Sequence, residues 1–273
     1  MNFIQAIILG IVQGLTEFLP ISSSAHLVIV PYLFNWTLDP NKAFIFDVLV
    51  QLGTLVAVII YFWSDLVAIF RSVLQGIKDK APFKEANSRL GWYIVLGTIP
   101  AGLAGMLLKD AVEEVFGSPV ITAILLLGTA ILLVLAELIA KKAKYLEELT
   151  WKDSLLVGVF QALAVFPGIS RSGATIAGGL FKGYTREAAA RFSFLLSIPI
   201  MLAAGLLSMI DLVIAEFFLD FLPILILGFV IAGVIGYLSI RWLLNYVKKN
   251  SFFGFAVYCV LFSAVTLMVS ALR

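Results

Sequence analysis

Long, predominantly apolar stretches run through this chain from one end to the other, and that pattern leaves few folds open. A helix needs about 20 predominantly apolar residues to cross a bilayer. Six stretches reach that length, roughly 44–63, 90–108, 120–139, 192–213, 221–244 and 252–272. Two further apolar regions, about 3–35 and 154–181, are broken near the middle by turn residues, Pro20-Ile21-Ser22-Ser23-Ser24 and Pro167-Gly168-Ile169-Ser170-Arg171-Ser172-Gly173. Each half is too short to cross alone, and irregular backbone survives at membrane depth only where protein or a wet cavity surrounds it. The sequence therefore predicts an all-α integral membrane protein with six transmembrane helices and two re-entrant helix hairpins. The competing arrangement is a single kinked helix in each of the two places.

Composition supports a membrane chain: 62% of the 273 residues are hydrophobic and 13% charged, against about 25% charged in soluble domains. No Gly/Ser-rich or charged linker divides the sequence, so residues 1–273 are expected to form one polytopic domain. The net charge of +2 is small and its basic residues are dispersed, which argues against a nucleic-acid partner. Cys259 is the only cysteine, excludes an intrachain disulfide, and reads as a packing residue. No Lys or Arg precedes Lys42, so the N-terminal stretch lacks the basic region of a signal peptide and is expected to stay in the mature chain. Trp63, Trp92, Tyr93 and Trp242 near span ends read as an interfacial belt.

With both broken regions counted as re-entrant, fifteen of the nineteen Lys and Arg residues fall on one side, only Lys42, Lys109 and Arg273 on the other, and Arg171 within the second turn. The positive-inside rule makes the basic side cytoplasmic and turns both termini and the mouth of the first hairpin outward. A shift of 148 residues places Gly10–His26 on Gly158–Ala174 with seven of seventeen positions identical, Gln13/Gln161, Ser22/Ser170 and Ser24/Ser172 among them. Because the hairpins enter from opposite faces, the repeat, about 1–139 and 140–273, is expected to have inverted topology. Transporters use that architecture to build midplane sites from broken helices.

The turns carry the chemistry. A half-helix leaving each Ser-rich turn presents unpaired N–H groups and a partial positive charge, which suits an anion such as phosphate. Ser22, Ser24, Ser170 and Ser172 can donate to it, or serve only as helix caps. Arg171 is a permanent charge in an apolar region, suited to phosphate oxygens or to a structural ion pair with Glu17. Glu17, with Gln13 one turn earlier on the same face, can hold Mg²⁺ or Ca²⁺, carry a proton or pair with a cation. His26, the only histidine, lies nine residues after Glu17 and reads as a nucleophile or as a base toward Ser23. Asp47, Gln51, Glu137 and Asp211 are weaker candidates that could line a cavity or pair locally; Asp110, Glu113 and Glu114 read as a solvated loop.

QGLTEFLPISSSAH (Gln13 to His26) and FPGISRSGAT (Phe166 to Thr175) resemble the two signature segments of undecaprenyl-diphosphate phosphatases of the bacitracin-resistance type. The resemblance covers essentially the whole chain in length, hydropathy profile and repeat. It implies an inner-membrane enzyme that converts undecaprenyl diphosphate to undecaprenyl phosphate and inorganic phosphate, recycling the lipid carrier for peptidoglycan synthesis. It also implies a required divalent cation and an active site formed by both hairpins on the outer side. Position by position, the resemblance assigns Glu17 to metal and catalytic support, Ser23 and His26 to nucleophile and base, Arg171 with Ser170 and Ser172 to the diphosphate, and Thr175 to a further hydroxyl. Gln13 departs from the pattern, since many relatives carry an acid there. Between the nucleophiles His26 is slightly preferred, because imidazole needs no separate base. The alternatives are a transporter or flippase of polyprenyl phosphate lipids and a noncatalytic lipid-phosphate binder. Membrane lipid is an expected partner in each case, and homo-oligomerisation is left open.

Overall fold

The computed structural model describes residues 1–213 and 218–273, and the side chains of Asp110, Glu113 and Asp211 lie outside the described residues. In chain order the helices are α1 (Phe3–Thr16), α2 (Ser23–Leu33), α3 (Pro40–Tyr61), α4 (Trp63–Lys78), α5 (Ala86–Leu107), α6 (Lys109–Phe116), α7 (Pro119–Ile139), α8 (Trp151–Leu163), α9 (Arg171–Phe181), α10 (Arg186–Val213), α11 (Phe218–Tyr246) and α12 (Phe253–Leu272). Short polar side chains start many of them by satisfying orphan first-turn N–H groups. Asn2 and Gln5 form a reciprocal capping box on α1, Asp39 caps α3 ahead of Pro40, Ser118 caps α7 ahead of Pro119, and Thr150 caps α8.

Among the described residues, six helices are long and apolar enough to cross a membrane: Lys42–Tyr61, Ala86–Leu107, Pro119–Ile139, Arg186–Leu206, Phe221–Tyr246 and Phe253–Leu272. They fall on the six predicted stretches, except that the fourth begins at Arg186 rather than near 192. Its early charges do not stop the helix, because Arg186 is anchored on Glu137 and Arg191 on Asp65. Two helices were read in the sequence as loops. In α4 the charges Asp65, Arg71 and Lys78 interrupt an apolar face on which Phe70, Leu74 and Ile77 are exposed. The short α6 ends at Gly117, one residue before the Ser118 cap of α7.

The two Ser-rich regions each form a helix–turn–helix pair, α1/α2 and α8/α9. Their helices have 14, 11, 13 and 11 residues, or about 16 to 21 Å each at 1.5 Å per residue. That is short of the roughly 30 Å hydrocarbon layer. Each pair is embraced by the other half of the chain: α1 packs along α11, and α8 packs along α5. Small residues set both crossings. A Cβ on Gly10 would come within 3.0 Å of the Gly228 carbonyl oxygen, and one on Gly158 would strike the carbonyl oxygen of Gly97.

Glu137 at the end of α7 is a joint rather than a cavity residue. It accepts from Arg186 Nε at 2.7 Å, Arg186 Nη2 at 2.8 Å and the backbone N–H of Phe252 at 2.9 Å, and it pairs with Lys142. Phe18, in the turn of the first pair, packs edge-on against Phe194 of α10 with ring centroids 5.3 Å apart. This contact fixes the first turn against the second half of the chain.

Candidate active site

The turn of the first pair opens at Glu17, which caps the C-terminus of α1, and passes through Pro20 to Ser22. Ser22 adopts φ +67°, an uncommon conformation for a residue with a side chain. Its hydroxyl caps Ala25 N–H at 3.4 Å and lies 3.2 Å from Ser24 Oγ. In the second pair the bend is taken by Gly168 at φ +108°. Thr129 of α7 clamps it, with its hydroxyl donating to Gly168 O at 3.1 Å and accepting from Ser170 N–H at 2.8 Å. Ser170 then caps Gly173 N–H at 3.0 Å, and Ser172 Oγ lies 3.1 Å from Ser170 Oγ.

The turns meet directly. Ser172 Oγ donates to Leu19 O at 3.0 Å, and Arg171 Nη2 donates to Glu17 Oε1 at 2.7 Å. The other Glu17 oxygen, Oε2, accepts from Ser23 Oγ at 2.6 Å and from Gln13 Nε2 at 2.8 Å. Gln13 Nε2 also reaches Thr54 Oγ1 of α3 at 3.4 Å. One buried carboxylate thus gathers Gln13, Ser23 and Arg171, residues that the sequence places in both halves of the repeat. Two polar atoms in this network are buried without a partner: Gln13 Oε1, an acceptor, and Arg171 Nη1, a donor. Buried polar groups are normally satisfied, so each marks a place for a ligand atom. Arg171 is the first residue of α9, whose opening N–H groups add positive potential beside it.

His26 stands elsewhere in the hydrogen-bond pattern. Its Nδ1 is 2.7 Å from Ser22 O and its Nε2 is 2.7 Å from the hydroxyl of Tyr258 on α12. The ring stacks on Phe262 with centroids 4.4 Å apart. The expected pairing of His26 with Ser23 is not formed; Ser23's hydroxyl partner is Glu17. Thr175 is also committed locally, donating to Arg171 O at 2.7 Å and lying 2.6 Å from Ser193 Oγ of α10. Asp47 and Gln51 share the α3 face of Thr54, at the i, i+4, i+7 spacing, and both are partly accessible.

Residues 6–265 match the family described as bacitracin resistance protein BacA. The chain belongs to the BacA family. It is 46% identical over 272 residues to the undecaprenyl-diphosphatase of Chloroherpeton thalassium, covering 96% of this chain and 94% of that protein. The undecaprenyl-diphosphatase of Chlorobium limicola is 45% identical over 281 residues, covering 99% and 98%, and that of Thermomicrobium roseum 44% over 276, covering 98% of each. In this BacA-family chain, sequence reasoning missed Thr54, Thr129 and Tyr258. Thr54 and Thr129 are hydroxyls inside apolar spans, the one signal that could have found them. Tyr258 reads like any aromatic residue near a span end.

Proposed function

We propose that this chain hydrolyses undecaprenyl diphosphate to undecaprenyl phosphate and inorganic phosphate, with Ser23 as nucleophile and Glu17 as its base. The carrying observation is the arrangement on Glu17: one oxygen accepts the Ser23 hydroxyl, and the other holds Arg171 so that Nη1 is left buried and unpartnered. A nucleophile within hydrogen-bond reach of a carboxylate, next to an unused guanidinium donor, is the equipment of phosphoryl transfer. The names of the relatives support the same substrate.

In this reaction Ser23 Oγ attacks the terminal phosphorus as its proton passes to Glu17 Oε2. The bond from that phosphorus to the bridging oxygen breaks, and undecaprenyl phosphate leaves with the electron pair. Arg171 and the first N–H groups of α9 stabilise the equatorial oxygens. Water then attacks the phosphoserine, its oxygen bonding the phosphorus as the bond to Ser23 Oγ breaks; the proton held by Glu17 returns to Ser23 Oγ and inorganic phosphate leaves with the water's protons. His26 keeps the strained Ser22 backbone in place through its bond to Ser22 O, which makes it a positioning residue for Ser23.

A divalent cation, Mg²⁺ or Ca²⁺, fits this donor set as a companion of the diphosphate. No group of three or more His, Cys, Asp or Glu side chains that could hold a metal occurs among the described residues. Glu17 and the unpartnered Gln13 Oε1 would supply two oxygens, leaving the rest of the shell to phosphate oxygens and water. When bound, the ion withdraws charge from the phosphoryl oxygens.

We read the two helix–turn–helix pairs as re-entrant hairpins of an inverted repeat, with the termini and the Glu17 site facing outward and the basic loops cytoplasmic. The short half-helices, the reciprocal packing of α1 on α11 and α8 on α5, and the charge asymmetry of the loops support it. That exchanged packing also favours a second reading, a transporter or flippase of polyprenyl phosphate lipids. The chemistry is unequal, however: Val165 stands at the repeat position of Glu17 and Arg171 at that of Ser23, and this asymmetry favours catalysis.

The deciding experiment measures phosphate released from undecaprenyl diphosphate by reconstituted protein, with and without Mg²⁺ or Ca²⁺. Release that needs the cation is expected. Glu17→Gln should lower kcat by about 10²- to 10⁴-fold, the usual range for a lost general base. Ser23→Ala should abolish an acid-stable phosphoenzyme. Leaflet exchange without phosphate release would replace the enzyme by the transporter, and an acid-labile phosphoenzyme that survives Ser23→Ala would return the attack to His26.

A further inference from the structure

A cavity about 680 Å³ in volume opens among the basic loops. It lies between α4 and α5 of the first half and α10 of the second, and none of Gln13, Glu17, Ser23 or Arg171 lines it. Its lower walls are apolar, formed by Ile69, Leu90, Leu149 and Leu195. Its rim carries Arg89, Lys142, Arg186, Arg191 and Lys248.

The acids present leave part of that positive charge uncancelled. Asp65 is matched by Arg191 at 2.7 Å, and Glu187 by Lys248 at 3.5 Å. Glu137, behind the rim, serves both Lys142 and Arg186, so one carboxylate faces two cations. Among the described residues, Arg89 is held by neutral groups alone, with Nη1 donating to Phe83 O at 3.2 Å and Lys84 O at 2.9 Å. Glu147 is the remaining acid of the lining. The first turn of α10, beginning at Arg186, adds its helix-end potential to the same wall.

A basic rim beside an apolar wall, where the spans of α5 and α10 meet the amphipathic α4 and the 142–149 loop, is the form of a lipid-headgroup pocket. Free phosphate would use the rim alone; a lipid uses both. The five cations exceed the four acids Asp65, Glu137, Glu147 and Glu187 by one. The surplus lies at Arg89 and the Lys142–Arg186 pair, which favours a phosphate monoester, with about −1.5 to −2 charges near pH 7, over a singly charged diester. We propose that this cavity binds the headgroup of a phosphomonoester lipid, at a site separate from the hairpins.

The test is native mass spectrometry of the full-length protein in detergent, titrated with phosphatidic acid, phosphatidylglycerol and glycerol 3-phosphate. Titrations are run with Arg171 intact and in Arg171→Gln, which disables the hairpin arginine. In both, one phosphatidic acid should bind more tightly than phosphatidylglycerol, and its affinity should fall at least tenfold in Arg89→Gln/Lys142→Gln. Lys78→Gln, which removes a charge from α4 outside the cavity lining, should leave affinity unchanged. The rim variant should keep the wild-type kcat and KM for phosphate release. Undiminished binding in the rim variant, an equal loss in Lys78→Gln, or loss of the adduct in Arg171→Gln alone would each overturn the proposal. Equal binding of glycerol 3-phosphate would overturn the lipid and leave a free-phosphate site.

Discussion

The carbonyl of Ser22 can only accept a hydrogen bond, so the proton between it and His26 Nδ1 belongs to the imidazole. In the neutral ring Nε2 is then an acceptor, and its lone pair is taken by the Tyr258 hydroxyl. A nucleophilic His26 would need that lone pair, which Tyr258, 232 residues along the chain, occupies. Tyr258→Phe should therefore cost about 1–3 kcal/mol, the price of leaving a buried polar atom unpaired, with kcat falling less than tenfold. Thermal unfolding in detergent and steady-state phosphate release measure the two effects; a kcat that rises would show that His26 attacks through an unmasked Nε2. Glu17 and Arg171 were legible in the sequence because a charge in an apolar region is costly to place without a partner or a function. The role of His26 was not, because sequence spacing ties it to Ser23 whereas its bonds depend on the backbone twist at Ser22 and on a helix at the other end of the chain.

At the scale of the helix pair, the second turn depends on Gly168. At φ +108° an L side chain is strained, and a Cβ there would strike the carbonyl oxygen of Thr122 on α7. Gly168→Ala should destabilise the protein by at least about 1–3 kcal/mol and reduce activity through Arg171, whose helix starts three residues later; a thermal scan and a KM measurement check both. The open end of the same pair is clasped by Asp153, which lies 3.0 Å from Lys182 Nζ and accepts from Tyr184 OH and Thr150 Oγ1 at 2.8 Å each. Burial alone would raise this carboxyl, but the bonds from Thr150, Tyr184 and Lys182 outweigh it and hold its pKa below the usual value. The clasp therefore contributes fully above the unfolded carboxylate pKa of about 4, and its contribution is lost as pH falls through the lower folded value. Asp153→Asn should flatten the fall in stability between about pH 5 and pH 3 relative to wild type, as read by urea or thermal unfolding at each pH. Turn residues announced both bends in the sequence. The clasp was hidden, since Asp153 and Lys182 sit at opposite ends of an apolar region and nothing local pairs them.

Across the whole molecule, the six spans were legible because length and hydropathy alone decide them, while the amphipathic α4 was not, because Asp65, Arg71 and Lys78 interrupt its apolar pattern. What the spans leave undecided is sidedness, and it follows from how the two broken regions are counted. If residues 3–35 form a hairpin, Phe3 and Asn35 lie on the same side of the membrane; a kinked crossing helix would separate them. The same logic applies to Lys152 and Lys182 around the second region, and the positive-inside rule predicts that pair on the opposite face from the first. The only native cysteine, Cys259, is buried, so a Cys259→Ser background leaves a clean chain for single-cysteine scanning. In intact cells a membrane-impermeant maleimide should label Phe3→Cys and Asn35→Cys, and should reach Lys152→Cys and Lys182→Cys only after permeabilisation. Labelling of Phe3→Cys and Asn35→Cys from opposite sides would replace the first hairpin by a crossing helix. It would carry the N-terminus to the face of the basic loops and leave the charge asymmetry among those loops intact, since no Lys or Arg precedes Lys42.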